Sequence, residues 1–191
     1  AITEDRQGRI WIGTFRGLAE YRDGQIIAHT DRGGPANSHV RAIYEDQDGT
    51  LWIGTYDAGL YRLKDGRFTS YTIDNGLFSN GAFAILEDNR GNFWMSSNRG
   101  IYRTSRQQLN DFAEGRITAI ICTSYGKQDG MLTNECNGGR QPGALKTPDG
   151  QLWFPTQDGV VVIARDAVPF NPEPPPVLIE SVILNRAQIA F

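Results

Sequence analysis

The 191-residue sequence predicts an all-β fold made of about four similar sheets, and two repeated patterns support this prediction. The first pattern is an acidic strand end, a tight turn and a second strand headed by tryptophan. All four tryptophans of the chain belong to it, at spacings of 41, 42 and 59 residues: Trp11, Trp52, Trp94 and Trp153. A period of about 40 residues is typical of propellers and solenoids. The sequence therefore predicts a β-propeller fragment of about four four-stranded blades.

The second pattern is a glycine followed four residues later by an asparagine, just before each new first strand. It occurs three times, at Gly33 and Asn37, Gly76 and Asn80, and Gly130 and Asn134. Its phase agrees with that of the tryptophan pattern. Two independent patterns with one phase fix the register of the repeat.

The strands can be assigned in order from the turns that separate them. In the second repeat they are 40–45, 51–55, 59–63 and 67–72, with Asp-Gly turns at Asp48-Gly49 and Asp65-Gly66. Glycine supplies the positive φ that such hairpin turns need, and β-branched and aromatic residues fill the segments between them. The neighbouring repeats predict strands at 9–14, 17–21, 25–30, 81–87, 93–97 and 100–103.

An insertion explains the longer interval between the third and fourth tryptophans. Residues 104–115 predict a short helix, with Thr104 and Gln107 as a capping box and Gly115 as its end. Residues 117–124 then predict the fourth strand of the third blade. Beyond the blades, which span 1–168, a proline-rich segment at 169–176 predicts a stiff linker. Residues 177–191 predict the first strand of a further β domain.

Composition excludes several classes of function. The formal net charge is −3, so no basic field would attract nucleic acid or an anionic membrane. Two cysteines are too few for a disulfide framework, and the two histidines belong to no metal-binding motif. No nucleophile elbow or phosphate-binding loop is present. The sequence predicts no cofactor, no metal, no catalytic residue and no direct membrane contact.

The repeated residues themselves predict structural roles. We expect the tryptophans to pack between blades, and the aspartates before each turn to accept main-chain N–H groups. The structural set comprises the four tryptophans, Asp5, Asp46 and Asp88, and the turn glycines Gly8, Gly49, Gly91 and Gly150. The fourth copy departs from the pattern, with Thr147 at the aspartate position and Pro155 at a glycine position.

These motifs, with the segment Thr133-Asn134-Glu135-Cys136-Asn137-Gly138-Gly139, resemble the two-component regulator propeller repeats. Pro174-Pro175-Pro176-Val177 resembles the start of the three-tyrosine β-sandwich domain that follows such propellers. The resemblance implies the sensor region of a bacterial hybrid histidine kinase or related regulator, lying outside the cytoplasm, in a parent ring of about seven blades. It implies upstream blades and a downstream β-sandwich as partners within the polypeptide. Open strand edges would also favour a homodimer.

Propeller geometry places two sets of loops on one face, and their variable residues predict a binding surface there. The candidates are Arg16, His39, Tyr56, Asp57, Asn98, Arg99, Glu135, Asn137 and Asp158. Aromatic, amide and charged groups together favour a small polar ligand such as a carbohydrate. Solvated loop tips are the structural alternative for each residue. Two other functions remain open: a protein-interaction scaffold, and a lyase or glycoside hydrolase using Asp57 with Asp158 or Glu135.

Overall fold

A computed structural model describes residues 1–138, 141–164, 182–184 and 187–189. Its strands form four successive antiparallel sheets, the blades, and a separate two-stranded hairpin. Within each blade, strands that follow one another in sequence are hydrogen-bonded neighbours. The predicted all-β class, with one short helix in an insertion, is confirmed.

The strands have the following bounds. Blade 1 contains β1 (Ile2–Glu4), β2 (Ile10–Thr14), β3 (Gly17–Arg22) and β4 (Gln25–Ala28). Blade 2 contains β5 (Val40–Glu45), β6 (Leu51–Thr55), β7 (Leu60–Lys64) and β8 (Arg67–Tyr71). Blade 3 contains β9 (Ile85–Glu87), β10 (Asn92–Ser97), β11 (Gly100–Ser105), the helix α1 (Arg106–Ala113) and β12 (Thr123–Tyr125). Blade 4 contains β13 (Leu145–Lys146), β14 (Leu152–Thr156) and β15 (Gly159–Ile163), and the hairpin is β16 (Val182–Leu184) with β17 (Ala187–Ile189).

The first strand of blade 3 is shorter than the sequence predicts. Strand 81–87 was expected, but β9 begins at Ile85. The residues before it leave the ladder because their N–H groups bond to two different blades. Ala82 N–H donates to the Thr55 carbonyl of blade 2, whereas Phe83 N–H donates to the Ser96 carbonyl of blade 3. This segment therefore joins the blades instead of extending one of them.

The insertion also differs in its details. The N-cap of the helix lies one residue later than predicted, because the Ser105 hydroxyl, not that of Thr104, caps it by accepting the Gln107 N–H at 3.1 Å. Thr104 stays in β11 and donates its hydroxyl to the Ile121 carbonyl. The strand expected at 117–124 is reduced to β12, since the N–H of Ile120 is bonded to the Asn75 carbonyl of blade 2.

Helix α1 is anchored on blade 2 by a buried face and two hydrogen bonds. Leu109 is fully buried and its carbonyl accepts the Tyr71 hydroxyl at 2.8 Å. Arg62 donates to Asn110 at 2.9 Å. The insertion thus covers the outer strands of the neighbouring blade, and its role in the fold is packing.

Each pair of consecutive blades shares one hydrophobic core. Trp11 packs with blade 2 residues, Trp52 with blade 3 and Trp94 with blade 4. The Trp52 ring meets Phe93 edge-on at 4.9 Å between centroids. Trp153 differs, because 37% of it is exposed. The first three tryptophans are therefore inter-blade packing residues.

The predicted linker at 169–176 lies outside the described residues, and the hairpin β16–β17 falls within the segment assigned to a further domain. The domain division at 168 and 177 therefore stays a prediction. In the part of the chain that the structure describes, no helix has the length and apolar character needed to cross a bilayer.

Candidate functional site

One face of the blades is built from the aspartate turns. In blade 2 one carboxylate oxygen of Asp46 accepts the N–H groups of Asp48 and Thr50 at 2.9 and 3.0 Å, and the other accepts the Trp52 indole N–H at 2.9 Å. Blades 1 and 3 repeat this geometry around Asp5 and Asp88. The carboxylate therefore fixes both the turn and the tryptophan.

The ionisation of these carboxyls follows from the same contacts. Burial alone would raise the pKa of Asp5 and Asp88. Hydrogen bonds from the indoles of Trp11 and Trp94, together with turn N–H groups, outweigh burial and hold both pKa values below the ordinary range. In blade 4 Thr147 accepts one turn N–H but does not reach the indole of Trp153, which donates to Gln151 instead.

Basic side chains bridge the blades on this turn face. Arg106 contacts Asp46 at 3.3 Å, Asp48 at 2.5 Å and Glu87 at 3.1 Å, so it ties blade 3 to blade 2. Lys146 donates to the Glu87 carbonyl at 2.8 Å across the next boundary. The groups on this face are thus engaged with one another, which is typical of a structural frame.

The opposite face brings together the two loop sets that the sequence analysis placed there. Tyr56 N–H donates to the His39 carbonyl at 2.9 Å, and Gln157 N–H donates to that of Glu135 at 3.1 Å. A similar bond joins Asn37 to Arg16 at 3.1 Å. Each loop after a second strand is therefore tied to the segment that leads into the next blade.

A row of rings lies on this face. Phe15 lies against His39 with centroids 3.9 Å apart, and Tyr56 stacks on Phe83 at 5.5 Å with an interplanar angle of 5°. Phe15 and Tyr56 occupy equivalent positions of blades 1 and 2, and each contacts the following blade. Phe15 is 77% exposed and Tyr56 43% exposed, so both offer ring surface to solvent.

Arg41 completes this row from the inner strand of blade 2. The register of β5 shifts between Val40 and Ala42, which leaves Arg41 in a bulge. Bulges re-aim side chains next to functional sites. The Arg41 guanidinium lies 5.0 Å from the Tyr56 centroid and 5.3 Å from that of Phe83. We call the surface formed by Phe15, His39, Arg41, Tyr56 and Phe83 the aromatic face.

Arg41 and Phe83 were not among the residues predicted from sequence. Both lie in segments predicted as strand, and both precede the turn aspartate of their blade by five residues. The equivalent position of blade 4 is Pro142. The signal that could have found them is this variation, arginine, phenylalanine and proline, at one position of an otherwise constant frame.

A pocket of about 470 Å³ adjoins the aromatic face. Its lining consists of Asn137, Gly138, Pro142, Gly143 and Pro155. Gly138 abuts the Phe83 side chain so closely that a Cβ there would lie 2.7 Å from the Phe83 Cβ. The pocket therefore continues the surface of the aromatic face towards blade 4.

The predicted site residues divide into a group that gathers around Arg41 and a group that does not. Asp57 accepts the Ser38 hydroxyl at 2.6 Å, and the Asn98 amide lies 3.4 Å from the Tyr56 hydroxyl. Arg99 does not join this group, because it donates to the Phe78 carbonyl at 3.1 Å and stacks on the Phe78 ring. The other four candidates do not join this group. Glu135, Asn137 and Asp158 are exposed towards blade 4, and Arg16 is exposed in blade 1.

Burial and the neighbouring Arg41 lower the pKa of His39. Burial is the largest cause, and the Arg41 guanidinium adds to it, whereas Asp57 opposes them. At neutral pH this favours the uncharged imidazole, which has one donor and one acceptor nitrogen. The aromatic face thus combines apolar rings, a neutral imidazole and one permanent cation.

The histidine, cysteine and acidic side chains of the described residues form no metal-binding cluster. Within residues 1–138 and 141–164, no three histidine, cysteine or acidic side chains are grouped as a metal site would require. The Cys122 and Cys136 thiols are free, and burial raises the pKa of both, that of Cys136 to about 11.

Comparison with known proteins shows that part of the chain matches a family of repeats. The sequence profile of the two component regulator propeller matches residues 1–16, 33–57 and 76–99, which hold the aspartate turns and tryptophans of blades 1 to 3. These three segments match two-component regulator propeller repeats. In these repeats the constant residues build the turn face, and the variable ones form the aromatic face. No curated protein matches the chain.

Solved structures share the propeller fold. The extracellular domain of a protein described as the hybrid two-component system BT3049 of B. thetaiotaomicron is 24% identical, with a TM-score of 0.71, over 99% of this chain and 26% of that one. The corresponding domain of BT4673 is 25% identical, with a TM-score of 0.62, over 85% and 22%. Virginiamycin B lyase of Staphylococcus aureus is 16% identical, with a TM-score of 0.53, over 87% and 55%. The chain spans about a quarter of the length of the first two.

Proposed function

We propose that this chain is part of an extracytoplasmic ligand-sensing propeller of a two-component signalling receptor. It binds a small polar ligand, such as a carbohydrate, on the aromatic face. The observation that carries the proposal is the stack of Arg41, Tyr56 and Phe83, with Tyr56 partly exposed beside a pocket.

The chemistry of the aromatic face suits a saccharide. Sugar rings present C–H surfaces that pack on aromatic rings, and hydroxyls that require hydrogen-bond partners. Tyr56 and Phe15 supply ring surface, while Asp57 and Asn98 supply an acceptor and an amide nearby. Ligand sites in proteins typically combine apolar and aromatic walls with a few placed polar groups.

Two findings support a sensing role and an extracytoplasmic location. The repeats are those of two-component regulators, and two of the solved structures are extracellular domains of proteins described as hybrid two-component systems. In such a receptor, a ligand that binds one arrangement of propeller and downstream β-sandwich better than another would shift their populations. That difference in affinity would carry the signal.

We propose that this region does not catalyse a reaction. Asp57, the central carboxylate of the hydrolase alternative, is engaged by the Ser38 hydroxyl at 2.6 Å. Glu135 and Asp158 belong to the loops of blade 4. The likeness to virginiamycin B lyase, at 16% identity, concerns the fold.

Further blades of the same polypeptide are the proposed partners of the exposed apolar face of blade 4. Its outer strands expose Trp153, Val160 and Val162 at 37%, 55% and 42%. Such a contiguous apolar surface is typical of an interface. Light scattering distinguishes the occupants: a monomer supports covering by blades of the same polypeptide, whereas a dimer supports pairing of two copies.

The proposed function is tested by thermal unfolding of the protein with a panel of mono- and oligosaccharides. A ligand present at about a hundred times its Kd should raise the Tm by roughly 5 to 10 °C for a chain of this size. We expect Tyr56→Ala to remove the shift. Tyr21→Ala is the matched control, because Tyr21 is also 43% exposed but lies on β3 of blade 1.

The outcome separates the sensor from its alternatives. A saccharide shift lost in Tyr56→Ala and kept in Tyr21→Ala supports the proposal. A shift that survives Tyr56→Ala contradicts the site. If no saccharide stabilises the folded protein, a protein-interaction scaffold becomes the better account of the same face.

A further inference from the structure

The positive charge of Arg41 on the aromatic face has no ion-pair partner among the described residues. The Nε atom of Arg41 is buried and has no hydrogen-bond partner among the described residues. No carboxylate of the described chain lies within 4.0 Å of its guanidinium as an ion-pair partner, whereas the buried Arg62 and the half-buried Arg106 have such partners. Asp57, the carboxylate that acts on His39 in this cluster, accepts a hydrogen bond from the Ser38 hydroxyl.

The position of this cation is built into the fold. The bulge at Val40–Ala42 directs Arg41 onto two rings from different loops, Tyr56 and Phe83. Stacking on aromatic rings contacts the face of a guanidinium and leaves its edge, with the N–H donors, unused. A buried donor without an acceptor is unfavourable, and that cost is relieved when an acceptor arrives.

We propose that Arg41 binds an anionic oxygen group, a carboxylate or a sulfate, on the ligand of the aromatic face. The inference rests on the proposed function, and it narrows the ligand from polar saccharides to acidic ones. A planar guanidinium matches the paired oxygens of a carboxylate or sulfate, and charge-assisted bonds of this kind are the strong ones. The sugar ring would stack on Tyr56 while its anionic group reaches the edge of Arg41.

His39 provides an independent readout of this anion. It faces Arg41 and Asp57, and Phe15 covers its ring. A negative charge added beside Arg41 offsets the positive charge that disfavours imidazolium. We therefore expect the pKa of His39 to rise when the anionic ligand binds. A neutral sugar stacked on Tyr56 would not raise it.

The test measures binding of uronic acids, sulfated monosaccharides and the neutral parent sugars by calorimetry. We expect the acidic sugars to bind tighter than the neutral ones, and Arg41→Gln to weaken them by about 10- to 100-fold. The uronic and sulfated sugars distinguish the two sources of charge. Arg103→Gln is the matched control, because Arg103 stacks on Trp94 at 5.4 Å, in blade 3.

Arg41→Lys guards against a folding defect in the glutamine variant. It keeps the charge but loses the planar fork, so it should retain weak preference for acidic sugars. Loss of that preference in Arg41→Gln, with a His39 pKa that rises only with acidic sugars, supports the proposal. Equal binding of neutral and acidic sugars, unchanged in Arg41→Gln but lost in Tyr56→Ala, overturns it and leaves the proposed function intact. If no sugar binds at all, both fail.

Discussion

At the scale of single residues, one carboxylate of each complete repeat serves a turn and a tryptophan together. Asp46 accepts two main-chain N–H groups with one oxygen and the Trp52 indole with the other. Asp46 is fully buried, so water does not compete with its carboxylate for these donors. Its removal would leave several buried donors without acceptors, and each such donor costs about 1 to 3 kcal/mol.

We therefore expect Asp46→Ala to lower the free energy of unfolding by about 3 kcal/mol or more. Urea unfolding followed by tryptophan fluorescence measures it. Asp74→Ala is the control, since Asp74 is exposed and should change stability by less than about 0.5 kcal/mol. A similar small effect for both variants would show that the turn does not depend on the carboxylate.

The lowered pKa of Asp88 gives a pH dependence with a definite sign. A carboxyl whose pKa is lower in the folded than in the unfolded state contributes stability fully above the unfolded pKa of about 3.9. That contribution is lost as the pH falls through the folded pKa, because the unfolded state binds the proton first. Hydrogen bonds from Trp94, Asn92 and Arg90, which outweigh burial, are the cause of the lowering.

We expect Asp88→Asn to make stability less dependent on pH below about 4, although the variant is also less stable at pH 7. Urea unfolding at several pH values between about 2 and 7 measures the slope. An unchanged slope in the variant would mean that Asp88 ionises alike in both states.

The sequence predicts these turn residues better than the site residues for a physical reason. Asp46 repeats because every blade needs the same turn, and repetition is visible in one sequence. Arg41 and Phe83 do not repeat, and their segments have the composition of strands. Only the bulge at Val40–Ala42 reveals that Arg41 turns towards Tyr56. Bulges leave no clear mark in composition.

At the scale of elements, the contact between neighbouring blades explains why glycine stands two residues after the tryptophan. A Cβ at Gly13 would lie 2.5 Å from a methyl of Val40, and one at Gly54 would collide with the Ala82 carbonyl. Blade 3 has Ser96 at this position, buried with an unpartnered hydroxyl. The inner strand of the next blade thus packs directly on the second strand.

We expect Gly54→Ala to lower the free energy of unfolding by about 2 kcal/mol or more, because a main-chain oxygen must move to admit the methyl group. Ser96→Ala is the matched control at the equivalent position of blade 3. It removes an unpaired buried hydroxyl and should be neutral or slightly stabilising. Thermal unfolding of both variants measures the difference, and an equal loss in both would contradict this account of inter-blade contact.

The bounds of whole strands could be predicted where hairpin turns define them. Strands β5 and β6 have the predicted bounds because the Asp48-Gly49 turn fixes both ends that meet there. The segments before β9 and β12 could not be predicted, since the N–H groups of Ala82 and Ile120 bond to carbonyls outside their own blade. Such partners are distant in sequence and leave no local pattern.

At the scale of the whole molecule, the two faces of the blade arc have different chemistry. The turn face satisfies its charges internally, as Arg106 does with Asp46, Asp48 and Glu87. The aromatic face keeps exposed rings and an unpaired cation beside a pocket. Because the turn face pairs its charged groups and the aromatic face does not, we expect a ligand to bind on the aromatic face.

The most direct test of this claim is an NMR titration of the protein with the saccharide that gives the largest thermal shift. We predict that the amide and side-chain signals of His39, Arg41, Tyr56 and Phe83 move together with one Kd, while those of the turn face stay in place. Signals that move around the aspartate turns, with the aromatic face unchanged, would contradict the account.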